Sequence, residues 1–265
     1  MAPASRLRRT SLIGYDAGRY MIEFESFCYL QNQKTGCSFV ETFLRKFCSE
    51  GIVRYEKHNT PRVRKEGKFY FISVREPLDT YLSLFNYGLD GKGELFQRMR
   101  AAGVGHLYAQ GMAGFSPWLD FVLNPDHAAQ VYPNGCAALA RQLGLVSCRF
   151  LRLACLGFEK QSGLLSDRAM ILDYSDAHGI VDEVIRYESL QQDLSAIVSG
   201  PLRHAFADLP AALAWIEAAP RINSSTRRDK QEQIDLPDPL REKLNDREWY
   251  LYRIHYTNSN REEKT

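Results

Sequence analysis

The run Phe27-Cys28-Tyr29-Leu30-Gln31-Asn32-Gln33-Lys34-Thr35-Gly36-Cys37-Ser38 decides how this chain is read. Its first four residues are apolar and strand-prone, and they give way to Gln, Asn, Lys and Gly, the pattern of a strand running into a turn. Behind the turn, Phe39, Val40, Phe43, Leu44 and Phe47 recur at helical spacing, with Gly51 as a C-terminal stop. A second unit of the same kind follows. Phe69-Tyr70-Phe71-Ile72-Ser73-Val74 is aromatic and β-branched, Arg75 stands at its end, and Pro77 suits the first turn of a helix continued by Tyr81, Leu82 and Phe85. Val184-Ile185-Arg186-Tyr187 reads as a further strand, with a helix over Leu190 to Val198. This alternation predicts an α/β fold with a central parallel sheet flanked by helices.

No internal repeat, low-complexity tract or Pro/Gly/Ser linker divides the chain, so residues 1–265 read as one domain. Six glycines between Gly91 and Gly114 interrupt the segment 88–134, which predicts loops and short helices there. Leu240, Leu244, Tyr250 and Leu251 in a charged background predict a closing helix over Pro239 to Tyr256, and residues 1–20 and 257–265 read as flexible ends.

Composition narrows the function. Hydrophobic residues make up 45% and charged residues 25%, ordinary globular values that argue against disorder and fibrous classes. Thirty-four Lys+Arg against 32 Asp+Glu leave a net charge of +2, too small for a surface that coats nucleic acid. No apolar run approaches the length of a membrane span. Arg6, Arg8 and Arg9 are not followed by an apolar stretch, so the N-terminus does not read as a signal peptide and a cytoplasmic location is expected. Six cysteines without a CxxC pair predict neither a disulfide scaffold nor a zinc site, but reduced and mostly buried thiols.

Two places carry chemistry. A small-residue turn feeding a helix leaves backbone N–H groups pointing one way, which suits a phosphate or sulfate, and Lys34 adds a full charge to the cradle of Lys34, Thr35, Gly36, Cys37 and Ser38. This differs from the nucleotide-hydrolase loop GxxxxGK followed by Ser or Thr, because Lys34 precedes the glycine. Taken alone, five such residues read first as a surface turn with an incidental lysine. The second place is Arg75-Glu76-Pro77 with Ser83 in the following helix: a guanidinium fork binds a phosphate through two charge-assisted hydrogen bonds. Alone, Arg75 reads as a partner for Glu76 or Asp79.

Together, the two segments resemble the cofactor signature of PAPS-dependent sulfotransferases, in which a PKTGTTS-like loop holds the 5′-phosphosulfate and an RDPxxxxxSxY-like segment, also seen as REP, holds the 3′-phosphate. Arg186-Tyr187-Glu188-Ser189-Leu190-Gln191-Gln192-Asp193-Leu194 is similar to the family's RYExLxxDL stretch, and Ile222-Asn223-Ser224-Ser225 is similar to the end of carbohydrate-type members. The resemblance runs from about Phe27 to Tyr256, with the middle third unmatched. It departs from the pattern at Gln33, where proline is usual, at Cys37, where Gly or Thr is common, and at Phe39. It implies a three-layer, P-loop-like fold, PAPS as donor cosubstrate and no metal.

The resemblance also implies roles. Lys34, Thr35, Gly36, Cys37 and Ser38 would take the 5′ end of the donor, Arg75 and Ser83 the 3′-phosphate, and Arg227 or Arg228 would close over the nucleotide. Lys34 would stabilise the leaving charge, and His58, in a stretch similar to KTHLP, would be the catalytic base; Glu56 and then His106 are the alternatives. Cys37, at a helix N-terminus, is expected to have a depressed thiol pKa. Outside the resemblance, the unmatched segment 88–134 is where the acceptor would bind: Phe115, Trp118 and Tyr132, with Arg98 and Arg100 nearby, read either as a stacking wall or, as aromatics at such spacing more often are, as core, with Trp118 and Leu119 beside Phe121 and Val122 on the buried face of a short helix. The expected acceptor is a hydroxylated saccharide or glycolipid. The oligomeric state stays open, a homodimer included. The alternatives are a small-metabolite sulfotransferase, a P-loop nucleotide kinase, and a nucleotide-binding protein without catalysis.

Overall fold

Phe27, Cys28, Tyr29 and Leu30 are all inaccessible to solvent, so the strand they form is covered on both faces and must lie inside a sheet. The computed structural model describes residues 20–57, 61–133, 135–219 and 235–256, and in it that strand is β2 (Phe27–Leu30). The other strands are β1 (Tyr20–Glu23), β3 (Arg54–Lys57), β4 (Phe69–Val74) and β5 (Glu183–Arg186), and the sheet order is β3-β1-β2-β4-β5. β2, β4 and β5 are mutually parallel, while β1 runs antiparallel to both β2 and β3.

The expectation of a parallel sheet is therefore corrected: the sheet is mixed. Only Phe24, Glu25 and Ser26 join β1 to β2, with Phe24 N–H donating to the Phe27 carbonyl at 2.8 Å, and so short a connection allows only an antiparallel pair. β3, as Arg-Tyr-Glu-Lys, has the charged pattern of an edge strand and lacks an apolar signal for the same reason.

Successive strand residues point to opposite faces, and each face carries its own apolar cluster. Cys28, Leu30, Tyr70, Ile72 and Val74 face one cluster, while Phe27, Tyr29, Phe71 and Ile185 face the other. In chain order the helices are α1 (Cys37–Phe47), α2 (Pro77–Leu89), α3 (Glu94–Ala101), α4 (Phe115–Leu123), α5 (Ala128–Val131), α6 (Leu145–Ala154), α7 (Phe158–Gln161), α8 (Arg168–His178), α9 (Leu190–Ser199), α10 (Leu209–Ala218), α11 (Asp238–Arg247) and α12 (Trp249–Leu251). α1, α9 and α10 cover one face, where Phe43 packs against Phe206 and Trp215. α2, α4 and α6 cover the other, where Phe85, Phe115 and Trp118 interlock. The segment 88–134 holds the loops and short helices its glycines suggest, and two of these helices, α3 and α4, bury Leu95, Met99, Trp118, Leu119 and Val122.

The tail differs from the single closing helix that was expected. α11 stops at Arg247, and the carboxyl group of Glu248 turns inward to accept hydrogen bonds from the N–H groups of Val146 (3.0 Å) and Ser147 (2.8 Å), the Ser147 hydroxyl (2.6 Å) and the Tyr81 hydroxyl. α6 has no cap of its own at Gly144, so a residue about a hundred positions away supplies it. All six cysteines are free, and Cys28, Cys136, Cys148 and Cys155 are buried. Among the described residues no helix is long and apolar enough to cross a membrane.

One buried charge cluster makes stability depend on pH. Glu23 receives Lys65 Nζ at 2.6 Å and Lys68 Nζ at 2.7 Å. Burial pushes its pKa up from 4.5, but the hydrogen bonds from Lys65 and Lys68 more than reverse this and hold it below that value. A depressed carboxyl stabilises the fold above the unfolded-state pKa and loses that contribution as pH falls through the folded-state pKa. Acid unfolding followed by circular dichroism should show Glu23→Gln with a flatter stability decline below about pH 4.5 than the parent.

Candidate functional site

β2, β4 and β5 all end at one edge of the sheet, where open α/β sheets offer a crevice. The loop after β2 is held from beneath. Thr35 is fully buried; its hydroxyl donates to the Asn32 carbonyl at 2.8 Å and lies 2.6 Å from Ser73 Oγ, which is 2.7 Å from the Tyr29 hydroxyl. This line of hydroxyls ties the loop to the neighbouring strand. It also means that Thr35, read from the sequence as a ligand-binding residue, has its side chain engaged inside the protein and offers only backbone.

Lys34 adopts φ +66° and Gly36 φ +86°, and Gly36 is the N-cap of α1 without a side-chain cap. The first helical hydrogen bonds come from the N–H groups of Phe39 (2.9 Å) and Val40 (3.3 Å) to the Gly36 carbonyl, so those of Cys37 and Ser38 lie ahead of the ladder. Ser38 is exposed. The Lys34 ammonium sits 4.3 Å from the centre of the Tyr87 ring. The Cys37 expectation is reversed: burial pushes its thiol pKa up, outweighing the opposing pull of Lys34.

Arg75, at the end of β4, is 3% exposed and reaches Asp79 Oδ2 at 3.1 Å, with its guanidinium 4.5 Å from the centre of the Tyr187 ring. Asp79, Ser83 and Tyr87 follow one another at four-residue steps along α2 and share one stripe of it. Because Asp79 meets Arg75 and Tyr87 meets Lys34, half-buried Ser83 stands midway between the two cations.

Tyr187 joins the two loops. Its N–H extends the β5 ladder by donating to the Val74 carbonyl at 2.8 Å. A Cβ built on Gly36 would fall 3.1 Å from Tyr187 Cδ2 and 2.7 Å from Leu190 Cδ2, so only glycine fits there. A cleft of about 200 Å³ opens beside it, lined by Gly36, Phe39, Tyr187, Glu188 and Leu190 among others. Glu188 accepts the Glu76 N–H at 2.8 Å, and Glu76 in turn caps α2 through the Asp79 N–H at 2.8 Å and receives the Tyr252 hydroxyl. The three motifs thus meet at one sheet edge. Asp79 was expected from the sequence only as an ion partner of Arg75, as it is, while Tyr187 and Tyr87 were assigned no role, although the four-residue steps from Arg75 to Asp79 to Ser83 to Tyr87 are a signal for the stripe.

Gly36→Ala should damage this site more than the fold. The positive φ and the two close approaches force the loop to move by more than a few tenths of an ångström. The expected result is at least about a tenfold loss of anion affinity by calorimetry, with a fall in melting temperature of only a few degrees.

Other candidates are placed differently. His58, Arg227 and Arg228 lie outside the described residues. β3 runs in the same direction as β2, so Lys57 ends it at the edge where the Lys34 loop begins; Glu56 lies on that strand. His106 is exposed in a short turn, Gly105–Tyr108. Of the two readings of the aromatics, the core one holds: Phe115, Trp118 and Tyr132 are each no more than 2% exposed and form no stacking wall. Arg98 is held by Glu94 at 2.8 Å and by the Tyr132 carbonyl at 2.6 Å, while Arg100 is exposed. Among the described residues no group of His, Cys, Asp and Glu is arranged to hold a metal ion. Comparisons with family models, with curated proteins and with solved structures find no match for this chain.

Proposed function

We propose that this chain is a PAPS-dependent sulfotransferase of P-loop-like, three-layer architecture that transfers a sulfuryl group to a hydroxyl of a saccharide or glycolipid. The observation that carries the reading is the meeting of the Lys34 loop, the Arg75–Ser83 segment and Tyr187 at the carboxyl ends of three parallel strands. The residues fit the donor: Gly36 leaves room that any side chain would fill, and two cations stand on either side of the Ser83 stripe.

When bound, PAPS supplies the sulfuryl group and a bisphosphate leaving group. The backbone N–H groups of Cys37 and Ser38 hold its 5′ end at the start of α1. Arg75 and Ser83 hold the 3′-phosphate, and Arg227 adds a further cation. Lys34 stabilises the negative charge left on the departing bridging oxygen as the new sulfur–oxygen bond forms. His58 takes the proton of the acceptor hydroxyl.

A nucleotide kinase would need the hydroxyl after its lysine directed at a magnesium ion, whereas that of Thr35 is turned into the protein and hydrogen-bonded there. Calorimetric titration with adenosine 3′,5′-bisphosphate in EDTA, beside ATP with magnesium, tests the reading. Tight metal-independent binding of the bisphosphate, followed by transfer of labelled sulfate from PAPS to a saccharide panel, is expected. Preference for ATP with magnesium would overturn it.

A further inference from the structure

The side of the sheet opposite β3 ends in β5, and a second cleft lies along that edge. Its volume is about 350 Å³, within the range of small-molecule sites. α6 supplies Phe150 and Ala154, the approach to β5 and the strand itself supply Val181 and Val184, and the turn Tyr252–Tyr256 supplies Ile254 and His255. Five of these six side chains are hydrocarbon.

His255 is the exception. Its ring stands edge-on to Phe150, with centroids 5.1 Å apart and planes at 66°. Its Nε2 is buried and has no hydrogen-bond partner among the described residues. Buried polar atoms are nearly always paired, and an unpaired one is destabilising until something arrives to bond it.

The remaining polar groups decide what that partner is. Asp182 is already engaged, by the Arg64 guanidinium at one oxygen and by the Tyr70 N–H at 2.8 Å on the other. The hydroxyls of Ser175 and Tyr250 lie 2.5 Å apart and bond each other. Burial pushes the Tyr250 hydroxyl and the Cys155 thiol up to about 12, and pushes His255 down to about 4, so all three are uncharged at neutral pH. None of the described lining residues is a lysine or arginine, and Glu183 stands at the exposed rim. An anion entering here would lose hydration without gaining a cation, and an ammonium would find no free carboxylate inside. A hydroxyl both donates and accepts, so it matches the His255 nitrogen in either tautomer.

We propose that this cleft is a binding site for an uncharged alcohol with an apolar body, its hydroxyl paired with His255 Nε2 and its hydrocarbon part against Phe150, Val184 and Ile254. The site stands on its own geometry and does not depend on the sulfotransferase reading. It does share a brace with the donor edge: the turn that carries His255 also carries Tyr252 and Tyr256, whose hydroxyls reach Glu76 and Glu188.

The test uses the full chain with carbon-13 in its histidine rings and three probes on one skeleton: 2-phenylethanol, 2-phenylethylamine and phenylacetate. At pH 7 the alcohol should shift the His255 ring signals saturably, and each charged analogue should bind at least about 10-fold more weakly. The His255 signals are identified by their loss in His255→Phe, which keeps a ring beside Phe150 and removes the nitrogen. In that variant calorimetry should show the alcohol weakened by about 10-fold or more. No saturable shift at His255, equal binding of the three probes, tighter binding of a charged one, or a preference for the alcohol that survives in His255→Phe overturns the proposal. Should His255→Phe not fold, Ile254→Trp decides, since Ile254 is 46% exposed at the rim and a larger side chain there narrows the cleft. The alcohol should again weaken by about 10-fold, and unchanged affinity overturns the site. Bisphosphate takes no part in these titrations, so their outcome and that of the donor reading are judged separately.

Discussion

Arg75→Ala is expected to weaken adenosine 3′,5′-bisphosphate binding by about 100-fold or more. In the proposed site a guanidinium at the end of β4 would give the phosphate two charge-assisted hydrogen bonds, and truncation would leave it Ser83, the outer cation Arg227 and whatever water enters. The loss should fall on affinity rather than on folding. Asp79, the carboxylate that Arg75 touches, is about half-exposed and is readily solvated when its partner is removed. Arg75→Lys should recover part of the affinity, because it keeps the charge and loses the fork. Calorimetry on both variants, with thermal unfolding as the control for integrity, provides the check. Parent-like affinity in Arg75→Ala would remove the second phosphate site from the proposal.

Glu248→Ala should have the largest effect on stability. Its removal strands the N–H groups of Val146 and Ser147, the Ser147 hydroxyl and the Tyr81 hydroxyl, all in the interior. Buried donors left without an acceptor cost about 1–3 kcal/mol each when no water reaches them, and they are not additive, so a total near 4 kcal/mol is reasonable. For a chain of this size that lowers the melting temperature by roughly 10 °C. Glu248→Gln keeps one acceptor oxygen but turns an amide toward other donors, and should fall between the two. A melting temperature within about 2 °C of the parent for Glu248→Ala would show that the cap contributes little.

The strands that carry the site were legible because β2 and most of β4 are buried and therefore written as apolar or aromatic runs, Phe27–Leu30 and Phe69–Ile72, while β5 shows only the β-branched pair Val184–Ile185, of which Ile185 is buried. α1 and α2 were legible from the spacing of Phe39, Phe43, Tyr81 and Phe85. β3 was not, since a four-residue edge strand such as Arg-Tyr-Glu-Lys contains nothing that periodicity can detect, and β1, although interior, offers only Met21 and Ile22 as apolar core residues, too short a run to stand out. The role of Trp118 and Tyr132 could be read two ways for a related reason: an aromatic residue carries the same letter whether it stacks on a ligand or, as Trp118 does, on Tyr81, Phe85 and Phe115. Arg75 and Lys34 could be picked out by residue type and place. Tyr187 as the neighbour of both Arg75 and Gly36 could not, because these contacts join positions more than a hundred residues apart and exist only once the sheet has formed. The remote cap by Glu248 was hidden for the same reason, since local rules look for a cap next to the helix it serves.

The hydroxyl line Thr35–Ser73–Tyr29 has a thermodynamic consequence for ligand binding. A loop that must freeze when its ligand arrives subtracts its lost conformational entropy from the affinity, about 1–2 kcal/mol for each residue fixed. Here Gln33 stands where a stiffening proline would be expected, so the backbone just before Lys34 has no intrinsic restraint. The restraint comes instead from side chains that lock Thr35 to β4 as the domain folds, and the entropy of the loop is lost at that stage. The free protein therefore already holds Lys34 and Gly36 in their left-handed conformations, and binding has only to desolvate them.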